Sequence, residues 1–161
     1  MPETITDAKI SLYLQTLTET PQRIAARTTG IDEVRLKTKP APGEWSPVEI
    51  LAHLRGCADV WSYSIYAMLT LDEPQLAFIH PRNWTKMQGY DGLSFVENLR
   101  AFEVERKNLL RILQSLSFEA WARRTWFIGK ANVHTIFDET HRMATHEAEH
   151  CNQLEAILFS G

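Results

Sequence analysis

The tetrapeptide Ser46-Pro47-Val48-Glu49 constrains the fold of this chain more than any other stretch. A serine oxygen can accept a hydrogen bond from one of the unpaired amides that begin a helix. Proline at the first helical position has no amide to leave unpaired, and a glutamate three residues on reaches back to the serine amide. Trp45 and Ile50 stand at the two positions of a hydrophobic staple. Beyond this start, Ile50, Leu51, Leu54, Trp61, Ile65 and Met68 recur with helical rather than strand period. The spacing predicts a helix over about residues 47–71 with one buried face.

The same period marks three other stretches. Residues 7–29 direct Ile10, Leu12, Leu14 and Leu17 toward a core, and Pro21 is expected to bend or divide that helix. Residues 93–116 do the same with Phe95, Leu99, Phe102, Leu109, Leu110 and Leu113. A last helix is expected from a cap at Asn132 to about Phe159. Between them lie a connector from Gly30 to Trp45, a connector of about twenty residues from Asp72 to Gly92, and the segment Ser117 to Ala131, with a short helical turn at 118–122 before Gly129. At 161 residues, 44% of them hydrophobic, the chain is long enough to bury a core as one domain spanning 1–161. Four long amphipathic helices imply an all-α four-helix bundle.

A net charge of −3 gives no electrostatic case for nucleic acid. No run approaches the roughly 20 apolar residues of a spanning helix, and the N-terminus has no basic and apolar leader. Membrane partners are therefore not expected. Two cysteines, Cys57 and Cys151, without a leader point to free thiols in a reducing cytoplasm.

Chemistry concentrates in the last helix. His146 and His150 are spaced i,i+4, which stacks their imidazoles on one helix face, close enough to share a metal ion. A catalytic site of the zinc type needs a third protein ligand and an open position. The segment also spells H-E-x-x-H, the zinc-peptidase pattern with Glu147 as general base. No histidine follows His150, and Gln153 and Ala156 replace the Gly and His of the extended motif. The third ligand must come from upstream. His53 lies roughly 9 Å into its helix, and the pair lies roughly 13 to 20 Å from the end of theirs. Antiparallel helices bring these depths together.

Trp45-Ser46-Pro47-Val48-Glu49-Ile50-Leu51-Ala52-His53-Leu54, Phe102-Glu103-Val104-Glu105-Arg106 with Leu109-Leu110, and His146-x-x-x-His150-x-x-Gln153-Leu154 closely resemble the DinB/YfiT-like family over nearly the whole chain. The resemblance implies an up-down-down-up bundle, commonly a homodimer, with a divalent metal, often nickel or zinc, held by His53, His146 and His150. Relatives include thiol S-transferases, so the substrate it implies is a low-molecular-weight thiol, with water, and hence hydrolysis, as the alternative nucleophile. A non-catalytic metal-binding or stress-related protein is the rival from another class.

Other residues are weighed against plainer roles. Gln153 projects on nearly the ligand face and can hydrogen-bond near the site. Glu149 and Glu139 can orient an imidazole or sit as surface charges. Cys57, one turn after His53, is an extra soft ligand or a small buried hydrophobe. Arg106 can anchor a substrate carboxylate or phosphate, although a structural ion pair is the more frequent fate of such a residue. Trp84, Tyr90 and Trp126 are candidates for a pocket mouth. Glu147 points about 100° from His146 and reads as solvated helix face. His134 and His141 belong to other surfaces.

Overall fold

The computed structural model describes residues 3–159. In chain order its elements are α1 (Asp7–Thr28), α2 (Glu33–Lys37), α3 (Pro47–Thr70), β1 (Gln75–Leu76), α4 (Pro81–Gln88), α5 (Phe95–Leu113), β2 (Arg124–Phe127), β3 (Val133–Thr135) and α6 (Ile136–Phe159), with 3-10 turns at Tyr90–Gly92 and Phe118–Ala122. Helix α3 starts where the sequence says it must. Ser46 Oγ accepts from the Glu49 amide and Glu49 accepts from the Ser46 amide at 2.8 Å. Ser94 and Glu97 repeat the device at the head of α5.

Helices α1, α3, α5 and α6 form the bundle, with α1 and α3 each packed on both α5 and α6. Residue pairs fix the directions. Tyr13 meets Phe137 near the starts of α1 and α6, and Arg23 meets Glu155 near their ends, so these two helices run parallel. Arg55 reaches Asn98 and Tyr66 meets Asn108, so α3 and α5 are also parallel. His53 and Trp61 of α3 meet His150 and His146 of α6 in reverse order, which makes that pair antiparallel. The order is up-down-down-up, and the long connector after α3 serves the return it demands.

The connectors hold more structure than periodicity shows. Helix α2 is five residues long, and α4 buries none of its eight, so neither carries an apolar stripe. A three-stranded sheet ordered β1-β2-β3 closes one end of the bundle, β1 parallel and β3 antiparallel to β2. Gly129, at φ +76°, makes the β2–β3 turn in a conformation that favours glycine. Asn132 does not cap the last helix. Strand β3 continues to Thr135, and Thr135 and Asp138 exchange the capping hydrogen bonds, with the Asp138 amide donating to Thr135 Oγ1 at 3.0 Å. Leu12 is exposed rather than core-facing.

Pro21 does not divide α1; the helix runs through it. A proline lacks the amide that would reach the carbonyl four residues back, here that of Leu17. Arg106 of α5 supplies the missing donor, Nη1 to Leu17 O at 3.0 Å. This bond lies in a polar layer between two apolar clusters. One is built on Leu17, Trp61, Ile65, Met68, Leu109, Leu113, Ile136 and Phe137, the other on Ile24, Ile50, Leu51, Leu54, Phe95, Phe102, Leu154 and Leu158.

Candidate metal centre

The polar layer opens on one side into a cavity of about 930 Å³ between the Pro40–Trp45 connector, α3, α4 and α6. Its floor is made by His53, His146 and His150, all partly buried. The antiparallel packing of α3 on α6 brings the three rings to one point. His146 Nε2 lies 3.1 Å from His53 Nε2 and 3.1 Å from His150 Nε2. One nitrogen from each ring falls within 4.8 Å of the others.

A ring nitrogen can donate to another only where it carries the proton. His150 Nδ1 lies 2.7 Å from Gln153 Oε1, an acceptor, so Nδ1 carries a ring proton. Protonation would relieve the crowding, but the environment opposes it. Burial, reinforced by the neighbouring histidines and Arg82, lowers His53 to about 3. Burial and His150 lower His146 to about 4. At neutral pH these two rings are uncharged bases facing a common point, a donor set suited to a divalent cation.

Two of the three spacings match those around one ion. Zinc-type ions hold imidazole nitrogen at about 2.0–2.1 Å, which places two nitrogens on one ion about 3.0 Å (octahedral, cis) to about 3.4 Å (tetrahedral) apart. The His146–His53 and His146–His150 separations, both 3.1 Å, fall within that interval, and the third pair lies within 4.8 Å.

Aromatic rings fix the imidazoles from both sides. Trp45 tilts over His53 with centroids 4.8 Å apart and stacks near His150 at 6.1 Å. Trp61 meets His146 edge-on at 5.1 Å. Cys57 lies beneath, its Sγ 3.5 Å from His53 Nε2 and 4.0 Å from His146 Nε2. Burial, with a contribution from the Glu147 charge, pushes its thiol up to about 12. Cys57 is therefore a neutral thiol at physiological pH, as is the fully buried Cys151.

The remaining candidates are elsewhere. Arg106 is buried and forms a two-pronged ion pair with Glu147, Nη1 to Oε2 at 2.7 Å and Nη2 to Oε1, and so does not line the histidine cavity. Glu147 is thus neither a peptidase base nor solvated, because 100° of rotation from His146 in a packed bundle leads to α5 rather than to water. Glu139 is fully buried beside His134, whose Nδ1 is 2.9 Å away. Glu149 is exposed in a neighbouring groove with Arg142 and His134. Trp84 donates to Asp59 Oδ2 at 2.8 Å, which Tyr90 also reaches at 2.6 Å; both aromatics line a separate cavity of about 430 Å³ between α3 and α5. His141 stacks on Tyr13. Trp45 and Arg82 line the histidine cavity and were missed as site residues. Adjacency to the Ser46 cap was the available signal for Trp45.

An up-down-down-up bundle with three histidines converging from two facing helices defines the class: an all-α protein with a three-histidine centre suited to a divalent metal. The model of the DinB superfamily matches residues 16–154, and the chain belongs to that superfamily. Among solved structures, the chain is similar to YfiT from Bacillus subtilis, a probable metal-dependent hydrolase with an unusual four-helix bundle topology. The match has a TM-score of 0.83 and 15% identity and covers 99% of this chain and 89% of that one. It is also similar to a protein from Streptococcus pneumoniae (TM-score 0.70, 15% identity, 96% and 91% covered) and to an uncharacterised protein from Clostridium difficile 630 (TM-score 0.69, 16% identity, 94% and 95% covered). No curated protein matches the chain significantly. Among the described residues, no helix is long and apolar enough to cross a membrane.

Proposed function

We propose that this protein is a metal-dependent enzyme whose divalent ion, nickel or zinc, is held by His53, His146 and His150, and which acts on a small molecule by way of a thiol or water nucleophile. The observation that carries the reading is the convergence of one nitrogen from each of three imidazoles within 4.8 Å, two of them on rings that burial keeps uncharged at neutral pH. When bound, such an ion supplies Lewis acidity, lowering the pKa of a thiol or water so that it becomes a nucleophile near neutral pH. The chain's own residues do the positioning. Gln153 holds the His150 tautomer, Trp45 and Trp61 fix the ring planes, and the cavity leaves one side of the cluster open to a substrate.

The reaction follows from which nucleophile is used. A low-molecular-weight thiol makes the protein a thiol S-transferase, which is the leading assignment. Water makes it a hydrolase, and the similarity to YfiT supports that second reading. A homodimer in the cytoplasm is the state we expect for it.

The test is metal content, by elemental mass spectrometry, of protein purified without chelator or histidine tag, beside His53→Ala and His150→Ala. Near one equivalent in the parent and loss in both variants is the expected result. Cobalt-substituted protein then distinguishes the nucleophiles by whether its absorption spectrum responds to added thiol. A parent that stays metal-free under replete conditions, or a His53→Ala variant that keeps its metal, removes the triad.

A further inference from the structure

Helix α4 has no buried residue, yet it is fastened to α3 at several points. Gly56 of α3 is the contact that permits this. A Cβ there would collide with Thr85 Oγ1 and come within 3.3 Å of Pro81 O, so only glycine lets the two helices approach so closely. Thr85 Oγ1 donates to Pro81 O at 3.0 Å, His80 Nδ1 caps α4 by accepting from the Arg82 amide at 3.2 Å, and Trp84 is tied to Asp59 of α3. The result is a clamped helix that presents Arg82 to the wall of the histidine cavity.

Arg82 differs from the other arginines near the bundle's polar groups. Arg23, Arg55, Arg106 and Arg124 each meet a carboxylate. Among the described residues, no carboxylate lies within ion-pair distance of Arg82. Its guanidinium carbon instead lies 5.2 Å from the centre of the Trp45 ring. Resting against an aromatic face orients the guanidinium without using its N–H groups, which remain free to bind in a fork. The same indole lies 4.8 Å from His53, so guanidinium and imidazole can be separated by no more than those two distances laid end to end. The cavity's other charged residue is the exposed Glu44 on the loop before Trp45.

We propose that Arg82 is the specificity residue of this cavity: it binds the oxyanion, carboxylate or phosphoryl, of a small substrate whose reacting group sits at the three histidines. Two parallel N–H···O bonds to one oxyanion are the interaction a free, stacked guanidinium is built to make. Trp45 sets the span, so substrates are short molecules with the anion within an indole's reach of the reacting atom. This assignment of substrate class rests on the proposed function, although the anion subsite exists whether or not a metal is bound.

The experiment therefore has two arms on the full chain. In the first, cobalt-loaded protein is titrated with 3-mercaptopropionate and with its neutral counterpart 3-mercaptopropanol, followed by cobalt absorption. Arg82 predicts at least ten-fold tighter binding of the carboxylate. Arg82→Gln should reduce that preference to within two-fold while leaving cobalt content and affinity for the alcohol unchanged. Arg82→Lys should keep part of it, because a point charge attracts without the fork, and Glu44→Gln should increase it. In the second arm, metal-free protein is titrated with succinate, inorganic phosphate and 1,4-butanediol, followed by the NMR signal of the Trp45 indole N–H. Both anions or one should shift it in the parent and neither in Arg82→Gln, and which anion binds more tightly identifies the oxyanion. A failure to take up cobalt with the second arm positive sinks the metal reading and leaves the subsite standing. Equal binding of acid and alcohol in the parent, a preference that survives Arg82→Gln, or an indole unmoved by either anion overturns the proposal.

Discussion

Two polar clusters occupy the middle of this bundle, and adjacent residues of α6 belong to each. Glu147 joins Arg106 in the interior, whereas His146 joins His53 and His150 at the edge of the cavity. The first cluster is complete. Arg106 donates to both carboxylate oxygens of Glu147, to the Leu17 carbonyl that Pro21 leaves free, and toward Met143 sulfur. The second brings three imidazoles to one point without closing a network around them, and His146 Nδ1 is buried with no partner among the described residues. A closed set of hydrogen bonds is a device for holding helices, since nothing is left over for a ligand. An open set of lone pairs is costly to maintain unless something fills it.

The sharpest way to break this contrast is to remove one member of each cluster and measure urea unfolding and metal content together. Arg106→Ala strands the Glu147 carboxylate inside the bundle, and Glu147→Ala strands the guanidinium. Each should cost about 3–5 kcal/mol, the usual consequence of an uncompensated buried charge. The double replacement Arg106→Met, Glu147→Leu should recover most of that loss, because the desolvation of both ions disappears with their attraction. Metal bound per folded chain should not change in the double variant. A double variant as unstable as the singles would mean that the Leu17 carbonyl, again without a donor, dominates the layer.

Removing a histidine should have the opposite profile. His53→Ala or His146→Ala should abolish stoichiometric metal while shifting the stability of chelated protein by about 1 kcal/mol, the ordinary scale of a single substitution. Added metal should raise the melting temperature of the parent alone, since a ligand that binds the native state stabilises it by mass action. If the histidine variants lost as much stability without metal as Arg106→Ala does, the triad would be a second structural network and the contrast would fail.

Much of this was legible in the sequence, and the parts that were not share a physical cause. The capping box at Ser46, the apolar period of α3 and the i,i+4 spacing of His146 and His150 are local signals; α3 starts at its box and α6 carries both histidines, although it begins at Ile136 rather than after Asn132. Which residue completed the histidine cluster depended on helix direction, which the long connector after α3 and the family resemblance supplied. Glu147 and Arg106 were harder. Rotation about a helix says that a side chain faces away from its neighbour but not what lies there, and only the packing of α5 turns that direction into interior. Helices α2 and α4 and the three short strands are too short to leave a period. Arg82 had no local mark at all, because its role comes from Gly56 allowing α4 to dock one helix away.

Acid should distinguish the clusters less strongly but still measurably. His53 and His146 have native-state pKa values of about 3 and about 4, against 6.5 for an unhindered histidine. Below pH 6.5 the unfolded chain takes up protons on these residues that the native state refuses. Their contribution is therefore fully present above about 6.5 and is lost progressively as pH falls toward 4. Metal-free protein should lose stability over that window, and the loss should be shallower in His53→Ala, His146→Ala. Metal should also leave the parent as pH falls, because protons compete for the same nitrogens. An unfolding profile identical in parent and double variant would mean that other groups carry the acid sensitivity.

The smallest expected effect tests how finely the open cluster is tuned. Gln153 is exposed, and its Oε1 faces His150 Nδ1 at 2.7 Å. In a metal centre, such a partner fixes the tautomer and raises the basicity of the ligating nitrogen, and its loss typically weakens metal binding by about 10 to 100-fold. Gln153→Ala should do so in competition with a chelator of known affinity, with chelated stability unchanged to within about 0.5 kcal/mol. Gln153→Glu should keep or improve affinity, because a carboxylate accepts the same N–H more strongly. Unchanged affinity in Gln153→Ala would show that His150 needs no help with its tautomer, and that the orientation of this cluster rests on Trp45 and Trp61 alone.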